Sequence, residues 1–172
     1  VVGRVLLGSV SRQIVSEAGC SVRVARGTGL LEKDAPRRLV AGFDSAENAR
    51  LLTEAIRRRE WAPGSVVMLA TATSAAEQNG VSPVSQIINA QEFQRAAKAE
   101  LEAAGLKVLT KVIEADAQTL LLAEAETIAA DCIFVGSRGI RGAFNAFLLG
   151  SVSAAIVSNA PCSVEVVRQR AV

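Results

Sequence analysis

Short runs of β-branched and aliphatic residues alternate along this chain with longer segments in which apolar residues recur every three to four positions. This alternation is typical of successive βαβ units, so it predicts an α/β fold built on a parallel sheet. The runs predict five strands, at 39–43, 66–70, 106–113, 132–135 and 162–167. The longer segments predict four helices, at 46–60, 83–104, 117–128 and 150–159.

Prolines, glycines and one aspartate mark the ends of these elements. Pro83 is expected to open the second helix, and Gly105 to end it. Asp116 is a candidate N-cap for the third helix, and Pro161 stops the last one. Residues 71–81 carry Thr, Ser, Asn and Gly without a period and are predicted to form a loop.

One segment of the chain occurs twice. Residues 6–26 and 148–168, at an offset of 142, are identical at 15 of 21 positions. A repeat period of this length equals a whole domain. We therefore expect 1–26 to be the last helix and strand of a preceding domain copy in a longer tandem protein, 27–36 to be a linker, and 37–172 to be a complete domain.

A group of glycines and serines surrounds the start of the last predicted helix. Gly136 and Gly139 follow the fourth strand, and Gly150 and Ser151 open the helix, where free amides and the helix dipole favour an anion. The hydroxyls of Ser151 and Ser153 add two possible donors. The alternative is purely structural, with the first two glycines forming a tight turn and Ser151 capping the helix.

The position of this group within the predicted sheet favours a ligand. In open parallel sheets, ligands bind at the carboxyl ends of strands, where the strand order reverses. If strands one to three lie on one side and strands four and five on the other, that crevice lies between Asp44 and Gly136. The Asp44 carboxylate suits a ribose hydroxyl or a metal-bound triphosphate, although an ordinary Asx turn is the alternative.

Composition and charge exclude several other functions. The 19 basic and 17 acidic residues are mixed along the chain and give a net charge of +2, so no basic stripe points to a nucleic-acid partner. The arginines at 57–59 are interpreted as a solvated helix end. No apolar run of eighteen residues is present, so no membrane span is expected.

The chemistry of individual residue types narrows the choice further. Histidine is absent, which excludes Ser-His-Asp and Cys-His catalysis and the usual zinc sites, and a Walker lysine motif is also absent. Cys20, Cys132 and Cys162 lie in or beside apolar runs without CxxC spacing. We expect them to be buried, reduced thiols in a cytoplasmic protein.

Three segments of the sequence resemble the universal stress protein family. They are "RLVAGFDSAENA", "DCIFVGSRG" and "LLGSVSAAIVSNAPCSVEVVR", and the similarity covers residues 37–168 and again 1–26. The resemblance implies a doubly wound five-stranded parallel sheet of order 3-2-1-4-5 with helices on both faces, as in HUP or adenine nucleotide alpha hydrolase-like proteins. It also implies a branch that binds ATP through G-x2-G-x9-G-[ST], although this chain has ten residues between Gly139 and Gly150.

The resemblance further implies an adenine-nucleotide site, for ATP or else AMP or ADP, with or without Mg²⁺. It assigns the phosphate contacts to Gly139, Gly150 and Ser151, the ribose contacts to Asp44 and Gly136, and the adenine contacts to backbone near Thr71 or Ala72. The expected role is regulatory, with nucleotide occupancy coupled to dimerisation or to partner contacts. The alternatives are a slow ATPase and a dimerisation module that binds no nucleotide.

The family resemblance also predicts a strand pairing. Members dimerise through the fifth strand, and this chain holds two such strands, 20–24 and 162–167. We expect them to pair antiparallel, as a pseudo-dimer within one chain or as a homodimer, which would hide an exposed sheet edge. Gly8 and Ser9, the repeat equivalents of Gly150 and Ser151, are expected to bind nothing alone.

Overall fold

The computed structural model describes residues 8–26, 34–137 and 149–169. In chain order the elements are α1 (Ser9–Glu17), β1 (Val22–Val24), β2 (Arg38–Gly42), α2 (Ala46–Arg57), β3 (Val66–Thr73), α3 (Pro83–Ala103), β4 (Lys107–Glu114), α4 (Ala117–Thr127), β5 (Cys132–Gly136), α5 (Ser151–Asn159) and β6 (Ser163–Val167). None of the described helices is long and apolar enough to cross a membrane.

The strands form one six-stranded sheet in the order β1-β6-β5-β2-β3-β4. The five strands predicted from the sequence are β2 to β6; they run parallel and confirm the order 3-2-1-4-5. The sixth strand, β1, lies antiparallel on β6, with Arg23 directly opposite Glu165. The predicted antiparallel pairing of the two repeat strands is therefore confirmed, and it forms within one chain.

Helices cover both faces of the sheet. On one face α1, α4 and α5 pack against alternate strand residues in a core that includes Val15, Val40, Leu121, Ile133, Ile156 and Val164. On the other face α2 and α3 do the same, in a core that includes Leu39, Leu52, Ile56, Leu69, Leu101 and Phe134. Because β2 and β5 are covered on both faces, they read in the sequence as nearly continuous apolar runs.

The predicted loop at 71–81 begins too early. Strand β3 continues through Thr73, and residues 71–73 pair in register with 112–114 of β4. The β-branched side chains of Thr71 and Thr73 suit an extended backbone, and the long neighbouring strand supplies the hydrogen bonds. The predicted caps of α3 and α4 are correct, since Asp116 accepts a hydrogen bond from Thr119 N and Gly105, with φ +86°, follows α3. The predicted end of α2 at residue 60 is wrong: α2 ends at Arg57, because the amide of Arg59 and the indole of Trp61 donate to the Ile56 carbonyl that a longer helix would use.

The three consecutive arginines do not share one environment. Arg57 and Arg58 pair with Glu54 on the surface of α2, as a solvated helix end would. Arg59 lies beyond the end of α2 and forms a two-pronged ion pair with Glu165, whose side chain is 3% exposed. Its guanidinium also lies 5.3 Å from the centre of the Phe134 ring. The interpretation as a solvated terminus is therefore wrong for Arg59, which reaches across the chain to β6.

The three cysteines divide into two buried thiols and one exposed thiol. All three are free, Cys132 and Cys162 are buried at the sheet, and Cys20 is exposed. The expectation of burial is wrong for Cys20, because it lies in the short connection between α1 and β1. Burial raises the pKa of Cys132 to about 12 and that of Cys162 to about 11.

These environments predict selective thiol labelling. At pH 8 a maleimide should modify Cys20 alone in the native protein and all three cysteines after unfolding. The reason is that Cys132 and Cys162 are neither accessible nor ionised below pH 10. Mass spectrometry of the labelled peptides measures this result. Native labelling of Cys132 as fast as that of Cys20 would contradict the sheet's packing.

Candidate functional site

The carboxyl ends of the parallel strands open into a cleft of about 1230 Å³. It lies over the adjacent strands β2 and β5, where the strand order reverses, and it extends across the ends of β3 and β4. The first turns of α2, α4 and α5 contribute to its walls. The sheet therefore places a concave site where open α/β folds bind their ligands.

The cleft brings together six of the eight predicted site residues. They are Asp44, Ala72, Gly136, Gly150, Ser151 and Ser153. Thr71 is not among the lining residues, because its buried side chain accepts a hydrogen bond from Gln94 Nε2 at 2.8 Å, on the α3 side of the sheet. Gly139 lies outside the described residues.

Two hydrogen bonds join the start of α5 to the end of β5. The Gly150 amide donates to the Ser137 carbonyl at 2.7 Å, and Ser153 Oγ donates to the Gly136 carbonyl. The Ser153 hydroxyl proton is thus engaged inside the protein. These bonds hold the first turn of α5 beside the carboxyl end of β5 and next to the cleft.

The N-terminus of α5 differs from those of the neighbouring helices. Side chains of Ser45, Ser82 and Asp116 cap α2, α3 and α4, whereas no side chain caps α5. The first-turn amides of a helix have no acceptor within the helix. In the part of the chain that the structure describes, α5 therefore presents uncapped amides and the positive end of its dipole to the cleft, an arrangement that binds phosphate or carboxylate.

Asp44 lies at the carboxyl end of β2, at the edge of the same cleft. Desolvation by the surrounding protein raises the pKa of its carboxyl, and a hydrogen bond from Ser45 Oγ, at 3.1 Å, opposes that rise. A further donor would stabilise the ionised form, because hydrogen bonds to a carboxylate favour it. A ligand hydroxyl is such a donor.

A loop that the sequence analysis did not assign to the site forms one wall. Residues 74–79 line the cleft at five positions, and Asn79 and Gly80, both with positive φ, turn the chain between Gln78 and Val81. Gln86 on α3 fixes this loop, since its side chain accepts from Ser74 N and donates to the carbonyls of Ala76 and Val81. The Gln86 side chain therefore ties this wall of the cleft to α3.

Two acidic residues and one amide were also missed. Glu114 and Asp116 line the cleft at the end of β4, and the rule that parallel strands bring their carboxyl ends to one edge would have found them. Asn48 lines the cleft as well, and its buried Oδ1 has no hydrogen-bond partner within the described ranges. An unpaired buried amide is unusual in a wall that serves packing alone.

The charges around the cleft are arranged unevenly. Its described lining residues include the carboxylates of Asp44, Glu114 and Asp116 and no lysine or arginine. Within the same ranges no group of three or more His, Cys, Asp or Glu side chains could hold a metal ion. An anionic ligand group is therefore favoured at the α5 end, and donor groups are favoured along the β2 to β4 edge.

Comparison with known proteins agrees with this architecture. A family model described as the universal stress protein family matches residues 36–168. No curated protein sequence is significantly similar to the chain.

Solved structures with the same fold include three informative ones. A universal stress protein from Archaeoglobus fulgidus is 20% identical with a TM-score of 0.65, and the match covers 95% of this chain but 55% of that longer one. A universal stress protein in complex with cAMP is 22% identical with a TM-score of 0.56, covering 80% of this chain and 99% of that one. An Arabidopsis thaliana universal stress protein family member with AMP bound is 15% identical with a TM-score of 0.54, covering 79% and 94%.

Proposed function

The chain belongs to the universal stress protein family, and we propose that it is a regulatory member that binds an adenine nucleotide, AMP, ADP or ATP, in the cleft at the carboxyl edge of its sheet. Nucleotide occupancy changes how the protein contacts its partners, and Mg²⁺ accompanies ATP as part of the ligand. Free thiols are usual in a reducing compartment, which supports a cytoplasmic location.

The observation that carries this proposal is the uncapped N-terminus of α5, which lines the same cleft as Asp44. In the proposed complex the phosphates lie at the first-turn amides of Ser151 to Ser153, because the Gly150 amide already donates to the Ser137 carbonyl. The family resemblance adds a contact at Gly139. The ribose hydroxyls donate to the Asp44 carboxylate beside Gly136. Two relatives of the same fold were solved with adenine nucleotides, cAMP and AMP.

The adenine ring is assigned to the β3 side of the cleft. Ala72 and Thr73 end β3 there, and residues of the loop at 74–79 line the same cleft. Backbone carbonyls and amides at a strand end supply the acceptor and donor pair that the adenine edge needs. Asn48 Oδ1, which has no hydrogen-bond partner within the described residues, adds an acceptor to the cleft from α2.

We also propose that residues 8–26 are the last helix and strand of a preceding domain copy. Ile14 is 54% exposed, whereas its repeat equivalent Ile156 is 0% exposed on the sheet. An apolar face of this kind on α1 is expected if another sheet covers it in the whole protein. The longer Archaeoglobus fulgidus relative, which matches 95% of this chain, supports such a tandem arrangement. The pairing of β1 with β6 then forms a pseudo-dimer within one chain, and the alternative is a homodimer in which β1 of one copy pairs with β6 of the other.

Identification of a co-purifying ligand tests the proposed function. The protein is purified without added nucleotide, unfolded in acid, and the released small molecules are identified by mass spectrometry. We expect AMP, ADP or ATP at a sizeable fraction of the protein concentration. Absence of any adenine nucleotide, together with no binding when AMP and ATP with Mg²⁺ are added back at millimolar concentration, would contradict the proposal.

A further inference from the structure

Two arginines, one from each repeat, make matching contacts across the β1–β6 junction. Arg26 Nη1 and Nη2 donate to the carbonyls of Ala160 and Val157, at the end of α5, at 2.6 and 2.5 Å. Arg168 donates to the carbonyls of Val15 and Ser16, at the end of α1. The two arginines are 142 residues apart, which is the repeat offset.

The backbone around these arginines repeats the same symmetry. The Arg26 amide donates to Ser163 Oγ at 3.0 Å, and the Arg168 amide donates to Ser21 Oγ, also at 3.0 Å. Together with the register that places Arg23 opposite Glu165, this defines a local two-fold relation between the units 8–26 and 151–168. Each unit therefore holds the C-terminus of the other unit's helix.

Helices α1 and α5 supply no cation of their own at these carbonyls. Neither has a basic residue in its last turn, and neither has a side-chain cap at its N-terminus. Each has nine residues, a length at which an isolated helix is marginal, so its order depends on tertiary contacts. A guanidinium on the last carbonyls satisfies those acceptors and interacts favourably with the negative end of the dipole.

We propose that Arg26 is a positioning residue for the anion site at the opposite end of α5. This inference rests on the proposed function, because the ligand of that site is the nucleotide phosphate. The arginine fixes the last turn of α5, and the helix carries that constraint to the amides of its first turn. The two contacts are therefore coupled: an anion at the N-terminus of α5 holds Arg26 more firmly, and Arg26 strengthens anion binding by the same factor.

The coupling is tested with Arg26→Gln, which removes the charge and most donors without touching the cleft. We expect AMP to bind about fivefold more weakly, at the lower end of the range of about 5- to 150-fold by which two coupled sites change each other's affinity. Adenosine, which lacks the phosphate, should bind the variant and the parent protein equally. Arg23→Gln is the matched control, because it removes the same charge from the same unit without contacting α5, and it should leave AMP binding within about twofold of the parent.

A second measurement separates positioning from general destabilisation. Hydrogen exchange at β1 amides 22–24 should slow when AMP is added to the parent protein, and this response should shrink in Arg26→Gln. Arg26→Lys, which keeps the charge but not the forked donor geometry, replaces Arg26→Gln if the latter fails to fold. It should bind AMP more weakly than the parent protein, but by less than the loss expected for Arg26→Gln. Equal AMP affinity in the parent and in folded Arg26 variants would overturn the inference and leave the proposed function intact. If the parent protein binds no AMP, both the inference and the proposed function are wrong.

Discussion

Replacing Gly150 with valine should reduce nucleotide affinity about 100-fold, the cost of losing one or two hydrogen bonds to a charged group. Gly150 lines the cleft as the N-cap of α5, where a ligand phosphate approaches the backbone. A branched side chain there occupies the space of the phosphate. Its backbone, with φ −64° and ψ 155°, is open to any residue, so the variant should fold. Calorimetric titration with ATP and Mg²⁺ measures the loss.

The repeat supplies a matched control for this substitution. Gly8 is the N-cap of α1 with nearly the same backbone angles, φ −62° and ψ 165°, and has open space around it. Gly8→Val should therefore bind ATP like the parent protein, because Gly8 does not line the cleft. If Gly150→Val also binds like the parent, the phosphate assignment is wrong. If both variants lose binding equally, the effect belongs to the helices in general.

Replacing Arg59 with leucine should lower the free energy of unfolding by about 2 to 3 kcal/mol. The substitution leaves Glu165, 3% exposed, without its ion-pair partner in the sheet. The expected loss is below the ~3–5 kcal/mol of a fully buried pair, because the Arg59 side chain is 37% exposed and solvent screens the pair. The contact with the Phe134 ring is lost as well. Urea unfolding followed by circular dichroism measures the change.

Arg58→Leu provides the comparison for Arg59. Arg58 precedes Arg59 in the chain but pairs with Glu54 on the exposed surface of α2. Its removal should shift the urea midpoint little, because exposed ion pairs contribute little. Equal urea midpoints for Arg58→Leu and Arg59→Leu would show that the Arg59–Glu165 ion pair does not stabilise the fold.

Much of the fold could be predicted from the sequence, because the local pattern of apolar residues agrees with how the elements pack. Strand β5 is buried on both faces, so its apolar run needs no partner information to be identified. The pairing of β1 with β6 followed from the repeat together with the family resemblance, since a strand of three residues gives almost no periodicity. A strand this short cannot be predicted from its local pattern of apolar residues.

The errors share one physical cause, which is dependence on distant neighbours. Thr71 was predicted to lie in a loop, because its local sequence does not show that it pairs with β4. Arg59 was predicted to be a solvated helix end, because its ion-pair partner Glu165 lies 106 positions later in the sequence. Cys20 is exposed because it lies in the short connection between α1 and β1. In the site, Gln86 was missed because its three bonds to the loop at 74–81 are set by α3 packing, which no motif encodes.

Site-resolved NMR tests whether the start of α5 receives the phosphate of an adenine nucleotide. In a titration of ¹⁵N-labelled protein with AMP, the amide signals of Ser151 and Val152 should move and saturate. The signal of Ser9, at the equivalent place in α1, should stay fixed. Unchanged Ser151 and Val152 signals at about 10 mM AMP, where even a site with a millimolar Kd is close to saturation, would show that the start of α5 does not bind the phosphate.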